Sequence, residues 1–189
     1  RYYNDSRKVG ELTWEEVSQL KATPGGESPL RLTDYLAACK GRLRIMLDIK
    51  GEKQKLPREY LQQIEDAMRQ HHQLSQAYMI GVEEAKQHFR GKLRMSRGFD
   101  DIVAARERGE DVASLYFYFP RGRTFTSEDI KAALRLGVPV VPSVNTFHYP
   151  AAERMQQSRV DIERMLKGGI TEFQIDSVFD QWLLKLPAD

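Results

Sequence analysis

Apolar and polar positions alternate with a period of two over residues 43–49, a pattern typical of a β-strand with one buried face. Asp48 and Lys50 share the polar parity, so both side chains are expected on one face at the C-terminal end of this strand. Ligands bind at this end of the strands in parallel α/β architectures. The two side chains are therefore either a structural ion pair or a carboxylate and an ammonium that bind a metal ion and a phosphate.

The same unit, a short apolar strand followed by an amphipathic helix, repeats along the chain. The predicted strands cover residues 43–49, 77–80, 93–96, 113–119, 138–144 and 170–175. The helices predicted to follow them cover residues 57–72, 82–89, 99–108, 127–136, 151–167 and 178–186. Two further helices precede the first strand: Thr13 and Glu16 form the capping box of one, and the other covers residues 32–39. This alternation predicts an α/β class with a parallel sheet.

Two architectures fit such an alternation. An open doubly wound sheet normally carries a glycine-rich phosphate loop after its first strand, and the chain has no sequence of that kind. A (β/α)8 TIM barrel has eight units and about 250 residues. If the chain is a barrel, it contains six of the eight units.

Composition restricts the class of protein. The 189 residues are 41% hydrophobic and 30% charged, which predicts a soluble globular chain with one sizeable core. No apolar run approaches the roughly 20 residues that span a bilayer, and the first residues do not form a secretory leader. The net charge of +2 comes from interspersed signs, so we expect no nucleic-acid partner. The single cysteine, Cys39, excludes an internal disulfide and a cysteine-based zinc site.

Several segments follow one family's pattern in order and spacing. They are residues 1–13, 16–20, 32–36, 47–50, 142–145 and 168–176, with LDIK at 47–50 for the family's I-E-I-K and PSVN at 142–145 for its W-T-V-N. In these segments the chain resembles the glycerophosphodiester phosphodiesterases, which are (β/α)8 barrels. The resemblance begins after the family's second barrel strand. It implies that residues 1–189 form a single barrel domain that contains strands 3–8 and lacks strands 1 and 2.

The resemblance also implies roles for individual residues. Asp48 matches a metal-ligand carboxylate of the family, which is a Glu there, and Lys50 matches the catalytic lysine that contacts the scissile phosphate. Asn145 matches a residue that lines the mouth of the site. The family's two catalytic histidines and its other metal carboxylates correspond to positions before Arg1, so the 189 residues contain about half of a site. The implied cofactor is a divalent metal ion, Ca²⁺ or Mg²⁺, and the implied substrate is a small-molecule phosphodiester.

Other side chains are candidates because of where they lie in the predicted units. His148 follows Asn145 in a loop on the catalytic side of a barrel, and it either contacts substrate or packs within the loop. Tyr118 lies on a predicted strand and either points into the barrel mouth or packs in the core, as strand aromatics usually do. Arg121 and Arg123 lie in a loop where they would recruit a phosphate, although exposed arginines are common in loops.

Three functions stay open from the sequence. The first is metal-dependent hydrolysis of a glycerophosphodiester to an alcohol and glycerol phosphate. The second is a non-catalytic relative that binds a phosphorylated ligand or a partner protein, which the shorter carboxylate of Asp48, Pro142 in place of Trp and the absent histidines favour. The third is an unrelated barrel in which Asp48 and Lys50 perform proton or Schiff-base chemistry.

Overall fold

The computed structural model of the protein describes residues 3–51, 56–121 and 126–184. The chain divides into two compact units. The first unit comprises Arg1–Ile45 and Pro57–Leu74, and the second comprises Met46–Leu56 and Ser75–Asp189. No helix in the described part of the chain is long and apolar enough to cross a membrane.

The first unit is helical. Its helices are α1 (Trp14–Gln19), α2 (Leu32–Cys39) and α3 (Arg58–Gln70), preceded by a 3₁₀ turn at Val9–Glu11. Helix α1 begins with the predicted capping box, in which Thr13 accepts from the Glu16 N–H and the Glu16 carboxylate accepts from the Thr13 N–H. The side-chain Nε2 of Gln73 donates a hydrogen bond to the Leu36 carbonyl oxygen at 2.8 Å, and so ties the segment after α3 to α2.

The second unit contains all the strands of the described chain. They are β1 (Met46–Ile49), β2 (Tyr78–Gly81), β3 (Arg94–Arg97), β4 (Tyr116–Tyr118), β5 (Ser143–Val144) and β6 (Gln174–Ile175). Its helices are α4 (Glu83–Phe89), α5 (Phe99–Glu107), α6 (Val112–Leu115), α7 (Ser127–Arg135), α8 (Arg154–Lys167) and α9 (Gln181–Leu184). Short 3₁₀ turns lie at Leu74–Gln76, Thr146–His148 and Ser177–Phe179.

The strands are parallel, and their order in space follows their order in the chain. Strands β1 to β4 form one sheet in that order, and β5 pairs with β6. The Val141 N–H donates to the Tyr118 oxygen and the Ser143 N–H to the Pro120 oxygen, each at 2.9 Å, so the segment before β5 continues the sheet next to β4. A doubly wound sheet reverses its strand order, whereas a barrel does not. The fold is therefore the TIM-barrel-like α/β fold of the second architecture. That barrel strands 1 and 2 are missing stays a prediction.

Several element boundaries differ from the sequence prediction. Residues 113–115 belong to α6 rather than to a strand, because the Asp111 side chain caps this turn by accepting from the Ser114 N–H. Residues 138–142 do not extend β5 and form only an isolated bridge, between Val140 and Tyr118 of β4. Pro139 and Pro142 have no N–H to donate to a continuous ladder. The predicted helix 178–186 is a 3₁₀ turn followed by α9, and its last two residues lie outside the described residues.

Two of the strands and one helix are also shorter than predicted. Strand β1 begins at Met46, and Leu43, which the alternation assigns to the buried face, is 65% exposed ahead of it. Strand β6 contains Gln174 and Ile175 alone, and α8 begins at Arg154 after a turn. The predicted positions of the units are nevertheless correct, because each described strand falls within or one residue beyond its predicted run.

The core of the sheet's inner face consists of one layer of large side chains. Tyr78, Phe117 and Val141 are buried there, and the Tyr78 and Phe117 ring centroids are 4.7 Å apart. Met46 and Phe119 pack against this layer. Two residues further along the strands, toward their C-terminal ends, the side chains on the same face line a cavity, and some of them are polar.

Candidate functional site

A cavity of about 360 Å³ lies at the C-terminal ends of the parallel strands. Asp48 and Lys50 line it from the end of β1, and Phe119 and Arg121 line it from the end of β4. The rest of the lining includes Ser143, Asn145, Phe147, His148 and Gln174, which come from β5, its following turn and β6. Cavities at this end of a parallel barrel-like sheet are where ligands bind.

Asp48 and Lys50 lie side by side, as strand periodicity predicts. The Lys50 Nζ is 2.7 Å from Asp48 Oδ2, and the Lys50 side chain is 81% exposed while that of Asp48 is 42% exposed. An ion pair this exposed contributes about 0–1 kcal/mol to stability. Such a weak pair holds neither group away from a ligand, so both the ammonium and the carboxylate are available to one.

A hydrogen-bond network holds β5, its following turn and β6 together at the cavity wall. The Ser143 hydroxyl donates to Gln174 Oε1 at 2.7 Å, and Asn145 Oδ1 lies 3.3 Å from the same hydroxyl. The Thr146 N–H donates to Asp176 Oδ2 at 2.7 Å. Asp176 precedes the 3₁₀ turn at Ser177–Phe179 but makes no side-chain cap bond to it, and instead bonds across to the β5 turn. These bonds fix the backbone that presents Asn145 to the cavity.

His148 completes this wall as a neutral ring. Its Nδ1 accepts a hydrogen bond from the Asn145 N–H at 3.2 Å, which requires an unprotonated Nδ1. Burial lowers the pKa of His148, and the positive charge of Arg121 lowers it further, against the opposing effects of the Ser143 backbone and the Asp176 charge. The ring of Phe147, 76% exposed, packs edge-on against the imidazole at 4.5 Å between centroids. His148 thus shapes the wall and orients the turn.

Arg121 places a second cation in the cavity with Lys50. Its guanidinium carbon lies 5.3 Å from the centroid of the Phe119 ring, a cation–π distance that orients the side chain. Arg123, the other arginine that the sequence suggested for phosphate binding, lies outside the described residues.

Tyr118 is not brought into the cavity. It is 7% exposed, its ring packs 5.8 Å from that of Phe99, and burial, with the charges of Asp129 and Asp100, raises its pKa to about 12. The inward parity of β4 belongs to Phe117 and Phe119, which places Tyr118 on the opposite face. Its predicted contact with substrate stays a prediction that the cavity lining does not support.

Phe119, Ser143 and Gln174 line the cavity although they were not singled out in the sequence. The signal that identifies them is the strand parity that also identifies Asp48: Ser143 and Asn145 are two apart, and so are Phe119 and Arg121. Because Phe117 packs on the inner face, the same period places Phe119 and Arg121 on that face as well.

The described residues supply few ligands for a metal ion. No group of three or more His, Cys, Asp or Glu side chains that could hold a metal lies within the described ranges. Asp48 is the carboxylate of the described cavity lining, and Lys50 and Arg121 accompany it. Ca²⁺ and Mg²⁺ require several oxygen ligands. The described residues therefore do not by themselves fit either ion.

No protein-family model and no curated protein sequence matches the chain. Solved structures do match it. A glycerophosphoryl diester phosphodiesterase from Parabacteroides distasonis ATCC 8503 has a TM-score of 0.65 at 18% identity, over 98% of this chain and 68% of that one. A glycerophosphodiester phosphodiesterase from Agrobacterium tumefaciens str. C58 has a TM-score of 0.64 at 14% identity, over 95% and 75%.

A third structure, from Galdieria sulphuraria and assigned provisionally to the same enzyme class, has a TM-score of 0.68 at 16% identity, over 95% of this chain and 71% of that one. Identities this low establish the fold alone. The resemblance that the sequence segments suggested is confirmed at that level: this chain has the fold of the glycerophosphodiester phosphodiesterases.

Proposed function

We propose that the protein containing this chain hydrolyses glycerophosphodiesters to an alcohol and glycerol phosphate in a metal-dependent reaction. The observation that carries the proposal is the cavity at the C-terminal ends of the strands, where Asp48, Lys50 and Arg121 meet. It lies where a barrel of this fold binds its ligands. The match of residues 47–50 to the family's strand end supports the same assignment.

Two cations give the cavity its affinity for a phosphodiester. The Lys50 ammonium and the Arg121 guanidinium bind non-bridging phosphate oxygens, and Lys50 is the residue that stabilises the charge growing on phosphorus in the transition state. Lys50 leaves its exposed pairing with Asp48 at little cost, because such a pair contributes little to stability.

The wall formed after β5 accommodates the alcohol part of the substrate. Asn145 presents an amide to it, and the neutral ring of His148 and the exposed ring of Phe147 present flat surfaces. A mixture of one polar amide and two rings suits a small alcohol with both hydroxyl and apolar groups.

The described residues of the cavity supply few ligands for the proposed metal ion. Asp48 would be one oxygen ligand of a Ca²⁺ or Mg²⁺ ion, and no second carboxylate lines the cavity among the described residues. The metal's involvement is tested by whether turnover depends on added ion and on the Asp48 carboxylate.

A second function is binding of a phosphodiester without cleavage, and the positions of the histidines in the described chain favour it. The chain has four, all within the described residues, and His148 alone of them lines the cavity. Its Nδ1 is occupied by the Asn145 N–H, so this ring is not placed as a general base. With Lys50 and Arg121 at the phosphate and His148 held as a hydrogen-bond acceptor, the described cavity would bind a phosphodiester and leave it intact.

Turnover and binding of a glycerophosphodiester, measured with added Ca²⁺ or Mg²⁺ and with chelator, separate the two functions. For an enzyme, we expect Asp48→Ala to abolish metal-dependent turnover and Lys50→Gln to lower kcat by about 100-fold or more, the loss typical of a charge-stabilising group. Lys131→Gln, on the exposed surface of α7, is the matched control and should behave as the unaltered protein.

The outcomes are distinct. Binding that Lys50→Gln weakens, with no turnover by the unaltered protein under any ion, would establish the non-catalytic function. Turnover that Asp48→Ala leaves unchanged would reject Asp48 as a metal ligand.

A further inference from the structure

A second cavity, of about 200 Å³, adjoins the first at the C-terminal edge of the sheet. Its lining comprises Lys86 of α4, Ser96 and Arg97 of β3, Gly98 and Asp101 at the start of α5, and Phe119 and Arg121. Phe119 and Arg121 line both cavities. One molecule that extends past Phe119 can therefore reach both.

The lining of this cavity is cationic. Lys86, Arg97 and Arg121 face it together with a single carboxylate, that of Asp101. Burial lowers the pKa of Lys86, and the charges of Arg97 and Arg121 lower it further, against the opposing charges of Glu83 and Asp101. Cations that crowd one another in this way are unfavourable in the empty cavity, and an anion bound between them relieves the repulsion.

Arg97 is held in position to take part in such a site. Its side chain is 25% exposed, its guanidinium lies 3.5 Å from the Glu83 carboxylate, and its Cζ lies 5.8 Å from the centroid of the Tyr116 ring. A guanidinium that is already oriented loses less freedom when it binds an oxyanion than a mobile one.

The backbone at Gly98 adds room and polarity. Gly98 is the N-cap of α5 and makes no side-chain cap bond, so the first N–H groups of this helix receive no hydrogen bond from its cap residue. The absence of a side chain leaves the space beside Asp101 open. These features supplement the three cations and would not make a site without them.

We propose that this second cavity binds an additional phosphate group of the substrate, so that the substrate is a phosphodiester whose alcohol carries a phosphomonoester. This inference rests on the proposed function, because it assigns the first cavity to the diester. Lys86 and Arg97 add two cations to the Lys50 and Arg121 that bind the diester, and a phosphomonoester carries about two negative charges near neutral pH. Arg121, common to both cavities, lies between the two phosphates.

Direct binding of inorganic phosphate tests the second cavity without any turnover. Calorimetric titration at low ionic strength should be performed on Lys50→Gln, which weakens the first site and leaves the second. In that background we expect Lys86→Gln to weaken phosphate binding about fivefold and Asp101→Asn to strengthen it about threefold, as partly screened charge contacts do. Lys131→Gln, which lines neither cavity, should leave binding unchanged.

Opposite effects of the lysine and aspartate variants are the decisive result, because loss of folding would weaken binding in both. If Lys50→Gln alone abolishes phosphate binding, or if Lys86→Gln and Asp101→Asn bind as their parent does, the second site is rejected. Neither result bears on whether the first cavity hydrolyses a diester.

Kinetics connect the two cavities. With a pair of glycerophosphodiesters that differ in one phosphomonoester on the alcohol, Lys86→Gln should raise KM about fivefold for the phosphorylated substrate and leave KM unchanged for the other. Equal effects on the two substrates would show that Lys86 does not contact the additional phosphate. Absence of turnover for both would instead reject the proposed hydrolysis, and the phosphate titration would still report on the second cavity.

Discussion

The imidazole of His148 is a neutral hydrogen-bond acceptor in the folded chain. The Asn145 N–H bond to Nδ1 needs the unprotonated ring, and burial lowers the pKa of His148 below its ordinary value of 6.5. Protonation is therefore less favourable in the folded state than in the unfolded state. The resulting stability is fully present above the unfolded pKa and is lost as the pH falls through the lower folded pKa.

We therefore expect stability to decrease between pH 7.5 and pH 5 in a way that depends on this ring. A ring-proton NMR titration should show the pKa of His148 below 6.5, and denaturant unfolding at the two pH values should show a smaller pH dependence for His148→Asn. A pKa at or above 6.5, or an unchanged pH dependence in the variant, would contradict the assignment. His71→Asn, at the end of α3, is the matched control.

The two-residue alternation of side chains along a strand predicts the positions of some site residues and not of others. Two-residue periodicity at the end of β1 predicts that Asp48 and Lys50 are neighbours, and the 2.7 Å separation of their charged atoms agrees. The same period leaves open which parity faces inward. In β4 both parities carry aromatic side chains that can be buried, so the period alone does not distinguish Tyr118 from Phe117 and Phe119. The inward face became evident only with the packing of Phe117.

Strand β2 ends at a glycine because strand β1 passes close to it. At Gly81, with a φ of +156°, an added Cβ would lie 2.7 Å from the Ile49 carbonyl oxygen and 3.3 Å from its nitrogen. Both are ladder atoms of β1, one residue beyond Asp48, and neither moves without disturbing the pairing with β2. The glycine therefore determines how closely the two strands approach next to the cavity.

Gly81→Ala should accordingly destabilise the protein by about 3 kcal/mol, as strain plus overpacking at backbone atoms does. Gly91→Ala is the control, because Gly91 also has a positive φ, +76°, but its Cβ would meet nothing within 4 Å. Its cost should be about 1 kcal/mol, which is the conformational term alone. Denaturant unfolding of both variants measures the difference, and equal losses would show that contact with Ile49 is unimportant.

At the level of elements, the repeating unit was predictable and its boundaries were less so. Hydrophobic period and capping residues locate α1, α3 and α7, because these signals are local. Ala113 and Leu115 have the same parity as Phe117 and Phe119, so the sequence predicts that the strand begins at residue 113. Residues 113–115 instead belong to α6, because the Asp111 side chain caps this helix. That hydrogen bond depends on the conformation of the preceding loop, which periodicity does not describe.

At the level of the whole molecule, the order of the strands could not be derived from the chain's periodicity. Six βα units fit either a doubly wound sheet or a barrel, since both bury the same faces. The absence of a glycine-rich loop and the family resemblance favoured the barrel, and the sequential pairing from β1 to β4 and from β5 to β6 agrees. The second cavity was not predictable, because it joins side chains from α4, β3 and β4.

The inner face of the sheet should respond to substitution as one packed layer. Phe117 is fully buried, with its ring 4.7 Å from that of Tyr78 on β2 and 5.7 Å from that of Phe119. Val141, from the segment that precedes β5, belongs to the same layer. Removing the Phe117 ring leaves an unfilled space between β2, β4 and the segment before β5. The lost stability should therefore affect the whole second unit.

We expect Phe117→Ala to lower the free energy of unfolding by about 3–5 kcal/mol and Phe117→Leu by about 1–1.5 kcal/mol. Phe147→Ala removes the same side chain from a position that is 76% exposed and should cost about 0.5 kcal/mol or less. Urea unfolding followed by Trp182 fluorescence, in a Trp14→Phe background, reports on the second unit, because the chain's two tryptophans lie in different units. If Phe117→Ala costs no more than Phe147→Ala, then the layer is not the core that supports the cavity above it.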